Sequence, residues 1–123
     1  MTAAAALGNP YLVYGGALGT HDPCLLNVSG GRSSGYLLCK IVEAYGGALP
    51  PEIVPVFNNT GAEREEALEF VVALEHHTGA HITWIERDPD EPAGFRIVGH
   101  NSASRNKEPF TRLIQLVGQA SRL

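Results

Sequence analysis

Two glycines and three serines stand directly after a short apolar run, and they constrain the fold of this chain more than any other stretch. The apolar run is Cys24–Val28, and residues 29–34 read Ser-Gly-Gly-Arg-Ser-Ser. Apolar residues at helical spacing follow as far as Tyr45. Paired glycines between an apolar run and a helical pattern are typical of a strand that turns tightly into a helix. This stretch therefore predicts a strand, a tight loop and a helix, in that order.

The loop at 29–34, here called the glycine-serine loop, has the composition of an anion-binding turn. A helix that starts there leaves its first backbone N–H groups without partners inside the helix, and its dipole places positive potential at the same end. Glycine lets the backbone approach an anion closely, and Arg32 adds a planar charged donor. The spacing differs from the Walker A and three-glycine dinucleotide patterns. Six residues are therefore candidates for phosphate binding: Ser29, Gly30, Gly31, Arg32, Ser33 and Ser34. A purely structural turn is the alternative.

A second polar stretch follows the next apolar run and begins Asn59-Thr60-Gly61. Four glutamates then fall within residues 63–69, where the acidic start of a helix is expected. Thr60 as N-cap with Glu63 three residues later has the spacing of a capping box, which is a structural interpretation of the same residues. The capping role and a nucleotide-binding role are compatible.

The two stretches together resemble a known pair of motifs. The first is similar to the PP-loop of the N-type ATP pyrophosphatases, usually Ser-Gly-Gly-x-Asp-Ser. The second is similar to the Asp-Thr-Gly-x-x-Phe-Pro-Glu-Thr-x-x-Phe pattern of the phosphoadenosine-phosphosulfate (PAPS) reductases, which Thr60, Gly61, Glu66 and Phe70 match in type and spacing. The resemblance covers residues 25–110. It is closest to the PAPS-reductase-like proteins of bacteriophages, in the adenine nucleotide α-hydrolase superfamily.

This resemblance implies a fold and a ligand. The implied fold is a Rossmann-like three-layer αβα arrangement with a mostly parallel sheet, truncated because the chain stops before the family's C-terminal half. The implied ligand is an adenine nucleotide, ATP or PAPS, with Mg²⁺ as a candidate companion. By resemblance, Asn59, Thr60, Gly61 and Glu66 join the glycine-serine loop in binding it. The family is either an ATP pyrophosphatase or a sulfonucleotide reductase in activity, and no catalytic residue is assigned here.

Three departures from the family pattern keep a second interpretation open. Ser33 stands where the PP-loop has aspartate, and Asn59 stands where the reductases have aspartate. The third departure concerns the nucleophilic cysteine of the reductases, which lies in the C-terminal half that follows the resembled part. The alternative is therefore a non-catalytic binding or assembly protein that kept the fold. A homo-oligomer or a partner protein is expected to complete it.

The composition of the chain limits which other classes of protein it can belong to. The chain has 123 residues, 44% of them hydrophobic, which suits one α/β domain at 24–123 after an N-terminal lead-in at 1–23. Its 13 acidic and 9 basic side chains give a net charge of −4 without a basic block, so nucleic acid is not an expected partner. Neither a basic signal region nor a spanning apolar stretch is evident, which favours a cytoplasmic protein without membrane contact. Cys24 and Cys39 are expected to be unbridged and buried.

The remaining pattern alternates strands and helices, which predicts parallel pairing of the strands with helical crossovers. Pro55 inside the second strand predicts an edge position or a bulge. No metal site is expected at His77 and His81, because Gly79 interrupts the helix between them. Arg105 lies in a polar loop and is either an anion contact or a surface residue. The predicted strands are Cys24–Val28, 53–57, 82–85 and Phe95–Val98, and the predicted helices are 33–45, 62–79 and 109–117.

Overall fold

A computed structural model describes residues 9–12 and 23–120, and these form an open sheet with helices between its strands. The strands are Cys24–Val28 (β1), Ile53–Asn58 (β2), Thr83–Arg87 (β3) and Phe95–Val98 (β4). The helices are Arg32–Ala44 (α1), Glu65–Thr78 (α2) and Glu108–Ala120 (α3). Most of the predicted lead-in lies outside the described residues.

The sheet follows the order of the chain, β1-β2-β3-β4. β1 pairs with β2 and β2 with β3 in parallel, so that Val28 lies beside Phe57 and Asn58 beside Ile85. β4 returns from β3 as an antiparallel neighbour. The predicted parallel pairing of the first three strands is confirmed, and the chain is an α/β protein with a mostly parallel open sheet.

α1 and α2 lie on the same face of the sheet and contact each other. Two right-handed crossovers that advance in the same direction place their helices on one side. Val28 is buried beneath them, while Leu25, which points to the opposite face, is 69% exposed. The helices approach closely because Gly35 has no side chain where the ring of Phe70 lies. The main core therefore fills the space between this helix layer and one face of the sheet.

The expectation that Pro55 marks an edge strand or a bulge is wrong. β2 lies between β1 and β3, and Pro55 pairs in unbroken register with Leu26. β3 begins its pairing one residue later, where Val56 meets Thr83. Pro55 therefore has no β3 residue in register beside it, which is how an interior strand accommodates proline here.

The capping box that was the structural interpretation of Thr60 and Glu63 is also absent. α2 begins at Glu65, and its N-cap is Arg64, whose side chain makes no capping hydrogen bond. Thr60 instead accepts a hydrogen bond from the N–H of Ala62 at 3.3 Å, inside the preceding turn. The predicted end of the helix is confirmed: Gly79 adopts φ +71° as the C-cap.

The two cysteines are unbridged, as expected, but each is half-buried beside the core rather than enclosed in it. Among the described helices, none has the length and apolar character that a membrane span requires.

Candidate functional site

The two sequence motifs meet at one edge of the sheet, where the parallel strands have their carboxyl ends. The glycine-serine loop follows Val28, which pairs with Phe57 of β2. The second motif follows Asn58, which is the next residue after Phe57. Contact is made through the helix that the second motif precedes, because Gly30 lies against Ala67 in the first turns of α2. In an open α/β sheet this edge is where ligands bind.

Gly30 has the backbone conformation that only glycine adopts readily. Its φ is +75°, and a Cβ at this position would lie 3.3 Å from the Cβ of Ala67. Gly31 has an ordinary extended φ of −96° and serves as the N-cap of α1. The first glycine is thus required by the turn and by the packing of α2, whereas the second leaves the backbone beside the helix start uncovered.

Serine side chains close the loop on itself. The backbone N–H of Ser29 donates to Oγ of Ser34 at 3.0 Å, and the two hydroxyls lie 3.0 Å apart. The Ser34 hydroxyl also donates to the carbonyl of Gly31 at 3.3 Å. These bonds hold the loop in one shape through contacts of its own side chains and backbone.

The start of α1 leaves donors unused. The first N–H groups of a helix, here those of Arg32, Ser33 and Ser34, have no carbonyl partner within the helix. No acidic side chain occupies this first turn. Arg32 is exposed, and within residues 9–12 and 23–120 its side chain takes part in no hydrogen bond or ion pair. The turn is therefore an exposed, electropositive cluster of donors.

Asn59 is fully buried, and both polar atoms of its side chain are engaged. Its Nδ2 donates to Oε1 of Glu86 at 2.8 Å and to the carbonyl of Ser104 at 2.9 Å. Its Oδ1 accepts from the N–H of Gly61 at 3.3 Å. Asn59 thus fixes the turn at residues 59–61, and any influence on a ligand would pass through that turn.

Glu86 is the centre of this buried network, and sequence reasoning missed it. Besides Asn59, its carboxylate accepts from the backbone N–H and hydroxyl of Ser104, and from Nη2 of Arg96 at 2.9 Å. The sequence signal was present: Trp84 points inward on β3, and two-residue periodicity places Glu86 on the same face. The prediction that the strand ended at residue 85 left it out.

The hydrogen bonds keep Glu86 ionised. Burial by itself raises the pKa of this carboxyl, but the bonds from the Ser104 backbone, Asn59 and Arg96 outweigh it and hold the pKa below its ordinary value. The folded-state pKa is thus lower than the unfolded one. The stability that the network contributes is full at neutral pH and is lost as the pH falls through the folded pKa.

The turn at 59–61 also packs against the start of α3. The N–H of Lys107 donates to the carbonyl of Gly61 at 3.1 Å, and the N–H of Phe110 donates to the carbonyl of Thr60 at 3.3 Å. Gly61 has φ +80° and lies so close to Lys107 that a Cβ would be 2.9 Å from its nitrogen. The turn is therefore held from two sides, by the buried network and by α3.

A cavity of about 330 Å³ opens beside this turn. The ends of β2 and β3 form one wall, and the start of β4 and α3 form the other. Its lining is mixed, with amide, guanidinium and aromatic groups. The main lining residues are Asn58, Thr60, Ile85, Arg87, Phe95 and Phe110.

Two further candidates from the sequence lie at the periphery. Glu66 is exposed in the first turn of α2. Arg105 is committed to Glu65, with its Nε and Nη2 each 3.2 Å from a carboxylate oxygen, and it also donates to the carbonyls of His100 and Ala103. The hydrogen bond from Arg105 lowers the pKa of Glu65. As an anion contact, Arg105 would first have to leave this pair.

The loop does not have the ligands that a protein-bound Mg²⁺ prefers. Its side-chain oxygens are the hydroxyls of Ser29, Ser33 and Ser34, with no carboxylate among residues 29–34. In the described part of the chain, no three histidine, cysteine or acidic residues are grouped to hold a metal ion. A cation at this loop would therefore have to arrive with the phosphates of a ligand.

Comparisons of the chain with protein-family models, with curated proteins and with solved structures find no match.

Proposed function

We propose that the chain binds an adenine nucleotide at the carboxyl edge of its sheet, with the phosphates on the glycine-serine loop. The observation that carries the proposal is the start of α1. Unused N–H groups, the positive end of the helix dipole and the uncommitted guanidinium of Arg32 share one exposed turn without a carboxylate. These features favour a phosphate over any neutral or cationic group.

The cavity beside the 59–61 turn suits the rest of the nucleotide. Its volume of about 330 Å³ is in the range of small-molecule sites. Phe95 and Phe110 are 43% and 46% exposed, so their rings are available for stacking against a base. The exposed side chain of Asn58 adds an amide donor and acceptor at the same wall. The fold of such a binder would be Rossmann-like. As in the PAPS reductases that the motifs resemble, a second layer of helices would cover the other face of the sheet.

Binding, rather than a specific reaction, is the function these residues support. ATP and PAPS share the adenosine and phosphate groups that the loop and the cavity would recognise. Ser33 and Asn59 stand where the resembled families have aspartates, and neither supplies a charge to a reaction. Turnover would therefore have to draw its charged groups from other residues than these two.

The loop can be tested through Arg32, whose side chain has no partner among the residues that the structure describes. Arg32→Ala is expected to weaken ATP binding about tenfold or more, because a charge-assisted hydrogen bond contributes roughly 1.5–3 kcal/mol. Lys40→Ala is the matched control: it removes the same charge from the same helix, but Lys40 pairs with Glu43 at 3.7 Å, away from the helix start. Isothermal titration calorimetry with ATP and with PAPS measures both variants. Absence of binding by the parent protein at millimolar nucleotide, or equal losses in the two variants, would contradict the proposal.

A second candidate function, self-assembly, is favoured by one observation. The sheet face opposite α1 and α2 carries Leu25 and Ile97, which are 69% and 71% exposed. Exposed apolar residues on one sheet face are typical of contact surfaces. We expect the parent protein to have at least twice the mass of a single chain in solution, and Ile97→Lys to shift it toward the single-chain mass. Light scattering over a wide concentration range decides this, since a parent protein that stays monomeric throughout rules the candidate out.

A further inference from the structure

Three separate segments of the chain converge on the carboxylate of Glu86. Asn59 comes from the turn after β2, Arg96 from β4, and Ser104 from the segment that leads to α3. The carboxylate itself is fully buried. A buried ion is costly to desolvate, and a polar network in which it is fully hydrogen-bonded makes the segments that it joins more rigid.

We propose that Glu86 is the positioning residue of the 59–61 turn, so that its ionised carboxylate sets the ligand-binding geometry without touching the ligand. The inference rests on the proposed function for its binding consequence. Glu86 orients the amide of Asn59, whose Oδ1 in turn accepts the N–H of Gly61 at 3.3 Å. The same carboxylate holds Ser104, and with it the path of the chain into α3.

The geometry requires both carboxylate oxygens of Glu86 to act as hydrogen-bond acceptors. Oε1 receives the amide of Asn59 and the backbone N–H of Ser104, and Oε2 receives Arg96 and the Ser104 hydroxyl. A protonated acid or a glutamine presents a donor at one of these oxygens, where it would meet another donor. A donor in place of Oε1 would face Nδ2 of Asn59, so that amide would have to rotate or move and the N–H of Gly61 would lose its acceptor. A donor in place of Oε2 would face Arg96 instead, and the uncharged oxygen left at Oε1 would hold Asn59 more weakly.

Other charged groups lie around the carboxylate of Glu86 and contribute to the way its protonation depends on pH. Arg96 faces it from β4, and Arg105 adds favourable charge from the segment before α3. The polar cavity beside it, of about 220 Å³, brings further charges from the end of β3, the loop after it and α3. These are Arg87, Asp88, Asp90, Glu108 and Arg112.

The test compares the parent protein with Glu86→Gln, which keeps shape and removes charge. In the ligand-free proteins, the amide resonance of Gly61 in ¹⁵N-resolved spectra is expected to shift in the variant at neutral pH. In the parent protein the same resonance should titrate at acidic pH, and in the variant that titration should be lost. By calorimetry at neutral pH, the variant is expected to bind ATP about tenfold more weakly.

Two further variants make the comparison decisive. Glu75→Gln is the matched control, because Glu75 is a partly buried carboxylate that also accepts a backbone hydrogen bond. Its partner is the N–H of Ile82 at 3.0 Å, which lies after the C-terminal end of α2. It should leave the Gly61 resonance and ATP binding unchanged. Ser104→Ala removes only the hydroxyl donor at 3.1 Å and should shift the Gly61 resonance in the same direction by less. It keeps the test available if Glu86→Gln does not fold.

The outcomes separate the two proposals. A parent protein that binds no nucleotide overturns the proposed function, while the Gly61 resonance still decides whether Glu86 positions the turn. A Gly61 resonance that is the same in the parent, Glu86→Gln and Ser104→Ala proteins, and that does not titrate in the parent, overturns the positioning role. Unchanged ATP affinity in a folded Glu86→Gln variant overturns it equally.

Discussion

Asn59→Asp is expected to destabilise the folded protein by about 3–5 kcal/mol at neutral pH, the range for leaving a buried charge uncompensated. The substitution introduces the residue that stands before Thr-Gly in the PAPS reductase pattern, which this stretch resembles. In this chain, however, it places a second carboxylate where Nδ2 of Asn59 now lies 2.8 Å from Oε1 of Glu86. It also puts an acceptor against the carbonyl of Ser104, which now receives a hydrogen bond at 2.9 Å.

The pH dependence of this loss has a definite sign. Two carboxyl groups in contact raise the pKa of the pair above that of the unfolded chain, so the folded variant binds more protons. The destabilisation is therefore largest at neutral pH and shrinks as the pH falls through the raised pKa. Urea unfolding followed by circular dichroism measures it across that range.

Asn58→Asp provides the control for Asn59→Asp. Asn58 is the preceding residue, has the same side chain and is exposed. Its substitution is expected to change the free energy of unfolding by no more than about 0.5 kcal/mol. A loss at Asn59→Asp as small as the loss at Asn58→Asp would show that Glu86 does not oppose a carboxylate there.

Gly61→Ala is expected to cost about 2–4 kcal/mol of stability, the sum of a left-handed backbone and a steric clash. Gly61 has φ +80°, and an added Cβ would lie 2.9 Å from the nitrogen and 3.0 Å from the Cα of Lys107. Backbone atoms at the start of α3 have little freedom to retreat, because the N–H of Lys107 is bonded to the carbonyl of Gly61.

Gly79→Ala separates the two contributions. Gly79 has a similar φ of +71°, but in the described part of the chain no atom beyond its sequence neighbours lies within 4 Å of the position of its missing Cβ. Its substitution should therefore cost only the conformational part, about 1 kcal/mol. Equal unfolding free energies for the two variants in urea titrations would refute the close packing of the turn against α3.

The sequence was sufficient for the elements that short-range patterns specify. The apolar run at Cys24–Val28, followed by paired glycines, correctly predicted β1, the tight turn and α1, since each depends on neighbouring residues. Pro55 was misjudged because its tolerance depends on where β3 starts to pair, which is a relation between distant segments. The absence of a capping box has the same origin: Thr60 is held in its turn by α3, which lies some fifty residues later in the chain.

In the candidate site, too, the features set by neighbouring residues were predictable and those set by distant segments were not. The glycine-serine loop is local, and its positive φ at Gly30 and its free helix start were predictable from residue types. For Glu86, the alternation along β3 indicates only that the side chain points inward; its role could not be predicted, because it arises from donors on three separate segments. The motif residue Asn59 was recognised by resemblance as a ligand contact, whereas its buried amide is engaged with Glu86 and Ser104. The physical role of such a side chain is thus set by long-range contacts that a motif does not contain.

The position of Trp84 gives the protein an internal optical reporter. It is the chain's single tryptophan, it is 4% exposed, and its ring meets Phe57 at 4.9 Å and His100 at 5.8 Å. Trp84 lies two residues before Glu86 on β3, and His100 belongs to the same connecting segment as Ser104. Displacement of that segment would expose the indole to water and shift its emission to longer wavelength. Intrinsic fluorescence therefore follows the docking of residues 99–107 without any label, in the ligand-free and ligand-bound protein alike.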